Sequence, residues 1–468
     1  MPASENNNVA DNKRISLTTD IKHTQTNYTI KNNDADDDGY SDQKVGSEDL
    51  SDGKEVELNV DRGYAWLVVC GGTATFFVTG FTLAWGIIQD IYLKNGVFPG
   101  SHDATTQLTL VGSAFQGLQL ASVVGCNLLY GRLGPRKLTV IGSLLMFIGF
   151  ITTAQATSIW NMILSLSILT SFGLAMQQGR IICNITSLIY FYPIAFGIIT
   201  SSNPLSGLVL PFIITQVYSH IGHQWIFRVL AFISLGTSAI SIAFLKEQKR
   251  PKNTDQEKSN NSKPKKNFDI NVLKNTQFLT WMINGPLAMS GRLLVYTFLP
   301  SHGTQIGLSD YQIAAVSSIA SGIQIIGRIC IGMLADRIGH VNVYLISMAV
   351  STISILVIWM LANNFASLVG FSIVFGLFGG TYMIVNPPIL ASTVGMEGYP
   401  SALNFSVIAN LLSIPIPPII SSVGGAKNSS NNDPFLPYKI AAGGLYGLCA
   451  LLAVLLKLRR NKNIFAKV

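Results

Sequence analysis

The sequence predicts an all-α membrane protein with about twelve transmembrane helices arranged in two six-helix halves. From Trp66 to Leu458 the chain is a succession of apolar stretches of about 20 residues, the length that a helix needs to cross about 30 Å of hydrocarbon. Only 12% of the 468 residues are charged, whereas about a quarter would be charged in a soluble domain. One long polar linker divides the apolar stretches into six and six.

The first 60 residues differ from the rest in composition. They are rich in Asn, Asp, Ser and Lys, have no apolar periodicity and lack the pattern of a signal peptide, which predicts a disordered cytoplasmic tail over residues 1–60. Of the 24 acidic residues, 14 lie at or before Asp61. The net charge of +8 therefore reflects cations that flank the apolar stretches, and it does not indicate a nucleic-acid partner.

The apolar stretches define the two predicted bundles. A basic cytoplasmic linker over residues 246–275 separates an N-terminal six-helix bundle, residues 61–245, from a C-terminal six-helix bundle, residues 276–458, and a basic cytoplasmic tail follows over residues 459–468. The predicted spans are 64–92, 108–129, 138–157, 159–189, 194–218, 225–245, 278–299, 312–334, 341–361, 366–390, 402–420 and 440–458.

Lys and Arg residues in the loops predict that both termini are cytoplasmic, because cations accumulate on the inner side of a membrane. Arg132, Arg136 and Lys137 after the second span, the basic linker and the C-terminal tail all fall on one side when each half has six spans. The opposite loop after the eleventh span contains a sequon that predicts glycosylation of Asn428. The plasma membrane is the favoured location, with the vacuolar membrane as the alternative.

An internal repeat supports the division into halves. A turn with Arg and Gly follows the second span and recurs 205 residues later, after the eighth span. Two parallel halves with a substrate site between them at mid-membrane are the plan of the major facilitator transporters, which the sequence resembles, although such turns also recur by chance. The turns are the predicted gating motif, which would stabilise an outward-open gate through contacts to neighbouring helix ends. Its residues are Arg132, Gly134, Arg136, Asp336, Arg337 and Gly339.

Further motifs resemble the monocarboxylate transporter family of that superfamily, in its fungal branch. The run 61–66 is similar to the signature that opens the family's first helix, apart from Arg62 and Ala65. The resemblance covers residues 61–458. The signature residues are Asp61, Gly63, Tyr64 and Trp66, and the other matches are Trp85-Gly86-Ile87-Ile88-Gln89, Gly327-Arg328 with Asp336-Arg337, and Pro417-Pro418.

The resemblance implies a secondary active transporter that moves a small organic solute, with a monocarboxylate as the first candidate, by alternating access. Proton-coupled animal members have a Lys in the first helix and an Asp one turn before the Arg of the eighth, where this chain has Ala84 or Trp85 and Gln324. Because fungal relatives include riboflavin carriers, riboflavin or another polar solute is the alternative. A non-transporting membrane sensor or scaffold is the alternative of another class.

Polar side chains within the spans are the candidate substrate ligands. An Arg at mid-helix costs roughly 2.5–3.5 kcal/mol on insertion and therefore faces protein or water, and a guanidinium binds a carboxylate through two parallel hydrogen bonds. The alternatives are that Arg328 snorkels or pairs with Asp336, and that Arg180 belongs to a structural hydrogen-bond network. The predicted substrate-binding residues are Arg328, Arg180, Gln324, Gln177, Asn386 and Arg292.

No residue set in the sequence indicates an enzyme, a cofactor or a metal site. The expected partners are a small-molecule solute and the lipid bilayer, while a coupled proton and the oligomeric state are left open. Asp90, near the outer end of the first span, is expected to lie at a solvated helix end. Pairing with an intramembrane cation and proton coupling are the alternatives for Asp90.

Overall fold

The computed structural model describes residues 62–99, 103–186, 192–244, 268–427 and 433–460. Within these ranges every regular element is helical, which confirms the predicted all-α membrane fold. The predicted tail 1–60, Asp61, most of the linker, Asn428 and the residues after 460 lie outside the described residues. The predictions for those segments stay predictions.

The first six spans are helical over their described residues. Asp103 and Ser158 cap the second and fourth spans, and each side chain accepts a hydrogen bond of 3.3 Å from the backbone N–H three residues later. A π-helical stretch, Ile163–Thr170, continues the fourth span. In order, the helices are Arg62–Thr79 and Phe81–Lys94 (first span), Ala104–Leu133 (second), Pro135–Ala154 (third), Ile159–Met162 and Ser171–Thr186 (fourth), Tyr192–Ile221 (fifth) and His223–Phe244 (sixth).

The last six spans follow a short 3-10 helix, Ile270–Lys274. Gly395 breaks the helix Thr381–Ala409 with a φ of 73° and separates the tenth span from the eleventh. The helices are Thr276–Gln305 (seventh span), Asp310–Ile338 (eighth), His340–Ile353 with the π-helical Ser354–Trp359 (ninth), Phe365–Phe378 and the first part of Thr381–Ala409 (tenth), the rest of that helix with the 3-10 turn Asn410–Ser413 and Ile416–Lys427 (eleventh), and Leu436–Arg460 (twelfth).

Ten segments of the described chain are long and apolar enough to cross a bilayer. Two features account for the difference from the twelve predicted spans. Residues Phe365–Gly424 count as one segment although the chain reverses within them at Gly395. The seventh-span helix is not among the ten, and its polar residues, which include Asn284, Arg292 and His302, lower its apolar character.

The repeated turn has the same backbone geometry in both halves. Gly134 joins the second and third spans with φ 77° and ψ 153°, and Gly339 joins the eighth and ninth with φ 97° and ψ 144°. A positive φ of this size strains any residue with a Cβ atom, which explains why Gly occupies both positions. Following the loop charges, we call the end of the molecule that contains these turns the inner end, and the opposite end the outer end.

Each half has its own apolar core. In the first half, the ring of Phe81 lies 5.4 Å from Phe115 and 5.7 Å from Phe150, centroid to centroid. In the second half, Trp281 lies 4.9 Å from Tyr344 and is part of a separate buried cluster. The two cores are therefore largely separate, although Leu83 of the first span is buried in the cluster of the second half.

A buried lysine holds the outer end of the twelfth span. The side chain of Lys439 is only 1% exposed, and its Nζ lies 2.8 Å from Oδ2 of Asp433 and 3.1 Å from Nε2 of His302. Burial acts to raise the pKa of the Asp433 carboxyl, but hydrogen bonds from Lys439 and from the Phe435 N–H outweigh it, so this pKa lies below its ordinary value of 3.8. The ion pair therefore connects the loop before the twelfth span to that span, and the contact with His302 connects the twelfth span to the seventh.

The substitution Asp433→Asn is expected to lower the free energy of unfolding by about 3 kcal/mol, because the Lys439 ammonium would stay buried without its carboxylate. The carboxylate's contribution is fully present above pH 3.8 and is lost as the pH falls through the lower pKa of the folded protein. The difference in melting temperature between the wild-type protein and the variant should therefore be large near neutral pH and shrink below about pH 4.

Melting curves in detergent across this pH range measure the effect. Asp336→Asn is the control, because the Asp336 carboxylate is exposed and its neighbour is His340 at 4.0 Å. A difference between wild type and Asp433→Asn that stayed constant down to the lowest pH would contradict the assigned ion pair.

Candidate functional site

The two halves meet at the outer end through an ion-pair network. Lys94 of the first span lies 3.0 Å from Oδ1 of Asp310, the first residue of the eighth span, and 2.9 Å from Oδ2 of Asp90. Thr304 of the seventh span donates a 2.7 Å hydrogen bond to Asp90. We call Asp90, Lys94, Thr304 and Asp310 the outer gate, since two of its contacts connect one half to the other.

The expectation that Asp90 lies at a solvated helix end is wrong, because its side chain is only 7% exposed. The carboxylate is buried between the first and seventh spans, where Lys94 and Thr304 compensate its charge. The sequence contained a partial signal, since Asp90 and Lys94 are an acid and a base four residues apart on one helix. The pairing of Lys94 with Asp310 on the eighth span follows from the tertiary structure alone.

Two further contacts close the outer end. The ring of Phe212 in the fifth span lies 5.4 Å from that of Tyr311 in the eighth. Thr106 of the second span donates a 3.2 Å hydrogen bond to the Ser421 hydroxyl in the eleventh. Together with the outer gate, these contacts connect four pairs of spans across the boundary, so the described part of the molecule is closed at its outer end.

Toward the membrane centre the halves touch through glycines. A methyl group on Gly86 of the first span would overlap the carbonyl oxygen of Tyr296 in the seventh. A methyl group on Gly207 of the fifth span would overlap the Ser321 hydroxyl in the eighth. The absence of side chains at these points lets the two halves approach each other closely.

Arg292 is the most unusual group at this boundary. It lies on the seventh span one turn from Tyr296, its guanidinium carbon is 5.7 Å from the centroid of the Tyr296 ring, and the residue is only 7% exposed. Its Nε and Nη2 atoms are buried and have no hydrogen-bond partner among the described residues. A buried guanidinium with unmatched donors is costly, and such a group is well suited to an anionic ligand.

Other buried polar atoms near the boundary also lack a protein partner in the described part of the chain. They belong to the fifth, eighth and eleventh spans, and they include Ser206 Oγ, Ser317 Oγ, Gln324 Oε1 and Asn410 Oδ1. Gln324 lies on the eighth span with its amide against Gly380 of the tenth. Unmatched polar atoms on three further spans extend the region in which a polar ligand could be held.

Arg328, the first candidate from the sequence, has a contact of a different kind. Its Nη1 donates a short hydrogen bond to the carbonyl oxygen of Thr200 in the fifth span. Arg328 therefore connects the two halves on the inner side of the boundary. The alternative pairing with Asp336 is not formed, because that carboxylate is exposed and lies near His340. The positive charges of Arg292 and Arg328 repel each other. Neither cation forms an ion pair with a carboxylate of the described chain.

Two predicted ligands are not brought to this boundary. The amide of Gln177 donates to the Ser143 hydroxyl at 3.4 Å and accepts from the Ser238 hydroxyl at 3.3 Å, so it connects the fourth span to the third and sixth within the first half. Asn386 accepts a 2.8 Å hydrogen bond from the buried indole of Trp281 within the second half. Arg180 lies on the fourth-span helix, but its side chain is outside the described part.

The predicted gating motif lies at the inner end. Gly134 and Gly339 form its two turns, while Arg136, Asp336 and Arg337 are exposed. The side chain of Arg132 is outside the described part, as are those of Gly63 and Tyr64 in the first helix, and Asp61 is not described at all. Trp66, the remaining signature residue, is exposed at the start of the first span.

Comparison with known proteins identifies the family. The model of the Major Facilitator Superfamily matches residues 65–340 and 287–466, so both halves are recognised. An MFS-type transporter of Gibberella moniliformis is 26% identical over 412 residues, which cover 86% of this chain and 92% of the relative. The agnestins efflux protein AgnL12 of Paecilomyces divaricatus is 26% identical, over 80% of this chain and 84% of that protein.

Solved structures support the fold. The peptide transporter POT in complex with sulfate superimposes with a TM-score of 0.65 at 12% identity, covering 86% of this chain and 96% of the transporter. A mutant form of the nucleoside transporter NupG gives a TM-score of 0.63 at 14% identity, covering 84% of this chain and 99% of that one. With both halves recognised and the fold shared, this chain belongs to the Major Facilitator Superfamily.

Proposed function

We propose that the protein is a secondary active transporter for a small organic anion, with a monocarboxylate as the simplest candidate, and that Arg292 binds the anionic group. The observation that carries the proposal is the buried Arg292 guanidinium, which has unmatched donors beside the boundary between the halves. A carboxylate would supply two acceptors in the plane of the guanidinium and neutralise its charge.

The electrostatic surroundings favour an anion over a neutral solute. Arg292 and Arg328 repel each other, and no described carboxylate pairs with either. A bound anion would lower this repulsion, whereas a neutral molecule could only supply hydrogen-bond acceptors. Each charge-assisted hydrogen bond would contribute about 1.5–3 kcal/mol.

Alternating access supplies the transport step in this proposal. The described state is closed at the outer end by the outer gate, and Arg328 connects the halves through Thr200 toward the inner end. Rocking of the two bundles would break one of these connections at a time, so that Arg292 faces either side of the membrane in turn. The exposed inner motif, with Arg136 and Arg337, would form its contacts only when the inner end closes.

The relatives named as efflux proteins favour a second candidate, the export of a larger organic product. Two such relatives are named as efflux proteins for agnestins and fujikurins. Riboflavin or another polar solute is the alternative that the family resemblance leaves open, and a sensor without transport is the alternative of another class. Flux therefore has to be measured in both directions and with solutes of different size.

Flux measurements with radiolabelled lactate, pyruvate and riboflavin in vesicles containing the purified protein test the proposal. Arg292→Gln keeps a similar shape but loses the cation, and it is expected to lower carboxylate flux at least about tenfold, because a charge-assisted contact is lost. Lys274→Gln, at an exposed inner position, is the control and should transport like wild type.

The same measurements separate the alternatives. Riboflavin flux without carboxylate flux would favour the polar-solute alternative, and no flux of any solute in either direction would favour the sensor. Carboxylate flux that is equal in wild type and Arg292→Gln would contradict the role of Arg292.

The outer gate generates a separate prediction. Lys94→Met removes the cation shared by two carboxylates, and the resulting repulsion between Asp90 and Asp310 is expected to favour opening of the outer end. Spin labels at the exposed positions Ser219 and Gln305, one on each half, would report the opening as a several-fold larger population of long distances. Lys274→Met in the same labelled protein is the control, and an unchanged distance distribution in Lys94→Met would rule out the gate.

A further inference from the structure

A polar cavity lies at the outer end of the first half, away from the boundary between the halves. Its volume is about 270 Å³, near the lower end of the range of small-ligand sites. All of its lining comes from the first, third and sixth spans and the joints after the first and third, so rocking of the halves would leave it intact. The lining residues are Tyr92, Val97, Ala154, Gln155, Ala156, Thr157, His223, Gln224 and Arg228.

The chemistry of the lining suits an anion. Arg228 is the one Arg or Lys among the lining residues, and no Asp or Glu is among them. The guanidinium carbon of Arg228 lies 5.0 Å from the centroid of the Trp225 ring. Arg228 forms no ion pair within the described ranges of the chain, so its donors are open to a ligand.

The cavity lies at the depth of lipid headgroups. Trp225 and Trp160, at the outer starts of the sixth and fourth spans, are both exposed. Exposed Trp residues at helix ends mark the interface between hydrocarbon and water. Arg228 is one turn below Trp225, so a ligand that reaches its guanidinium would sit at the level of a lipid phosphate.

An apolar path continues from Arg228 into the membrane. Phe232 and Leu235 follow at four and seven residues on the same helix face, and Phe232 is 58% exposed. The ring of Phe147 on the third span lies 6.0 Å from that of Phe232, and the neighbouring Ile148 is exposed on the third span. A cation directly above a continuous apolar surface matches a molecule with an anionic head and a hydrocarbon tail.

We propose that this cavity binds the phosphate of one phospholipid headgroup through Arg228, with an acyl chain along Phe232 and Leu235. The planar guanidinium donates two parallel hydrogen bonds to phosphate oxygens, and Gln155 and His223 border the space for the rest of the headgroup. The lipid is a resident ligand of the first half, separate from the transported solute. Its glycerol backbone lies at the mouth of the cavity, where the polar lining gives way to the exposed face of the sixth span.

Native mass spectrometry of the full chain in maltoside detergent tests the assignment by titration with dioleoyl phosphatidylglycerol, with dioleoylglycerol as the phosphate-free lipid. Wild type should retain one phosphatidylglycerol and not dioleoylglycerol. Arg228→Gln should weaken retention about tenfold, because a charge-assisted bidentate contact is lost. Arg228→Lys keeps the charge without the planar guanidinium, and its retention of phosphatidylglycerol should lie between those of wild type and Arg228→Gln. Lys274→Gln should retain the lipid as wild type does.

Competition with glycerol 3-phosphate separates the two sources of the anion. Retention of the lipid in a millimolar excess of glycerol 3-phosphate supports the headgroup assignment. Complete displacement would show that the cavity takes soluble phosphate esters, and it would overturn the assignment to a lipid. Equal retention in wild type and in a folded Arg228→Gln would overturn the site. If Arg228→Gln does not fold, Arg228→Lys and the phosphate-free lipid decide. The proposal would be overturned if Arg228→Lys retained phosphatidylglycerol as well as wild type does and wild type retained dioleoylglycerol as well as phosphatidylglycerol.

Discussion

A guanidinium buried at the meeting surface of two helix bundles, without a carboxylate to neutralise it, is the constraint on which this account depends. Arg292 is only 7% exposed and leaves two nitrogen atoms without acceptors in the described chain. Removing such a charge from water costs several kcal/mol unless a partner is supplied. A transported anion would supply that partner, which connects the cost of burying Arg292 to the proposed function of the protein.

The packing around Arg292 fits a boundary that changes between two arrangements. Each half has its own aromatic core, and at Gly86 and Gly207 the halves approach each other closely because these positions have no side chain. What holds the outer end closed is mainly the ion pair between Lys94 and Asp310 and the hydrogen bond from Thr304. Partly exposed ion pairs contribute roughly 0–1 kcal/mol each, so a modest change in binding energy can shift the balance between states.

The helical architecture was predictable from the sequence because it follows from local regularities. Apolar length defines the spans, and the recurring turn predicts the two halves, whose Gly134 and Gly339 share one backbone conformation. The neighbours of polar side chains were not predictable, since they depend on helix rotation and on contacts between distant segments. Gln177 bonds within its own half, and Asp90 is buried against the other half.

Equilibrium binding to the purified protein tests the central claim most directly. Labelled solute that binds should be displaced by competing carboxylates and not by the corresponding amides, for example by pyruvate and not by pyruvamide, because only the charged group matches the guanidinium. In Arg292→Gln this discrimination should disappear. Equal displacement by the carboxylate and its amide in the wild-type protein would contradict the account.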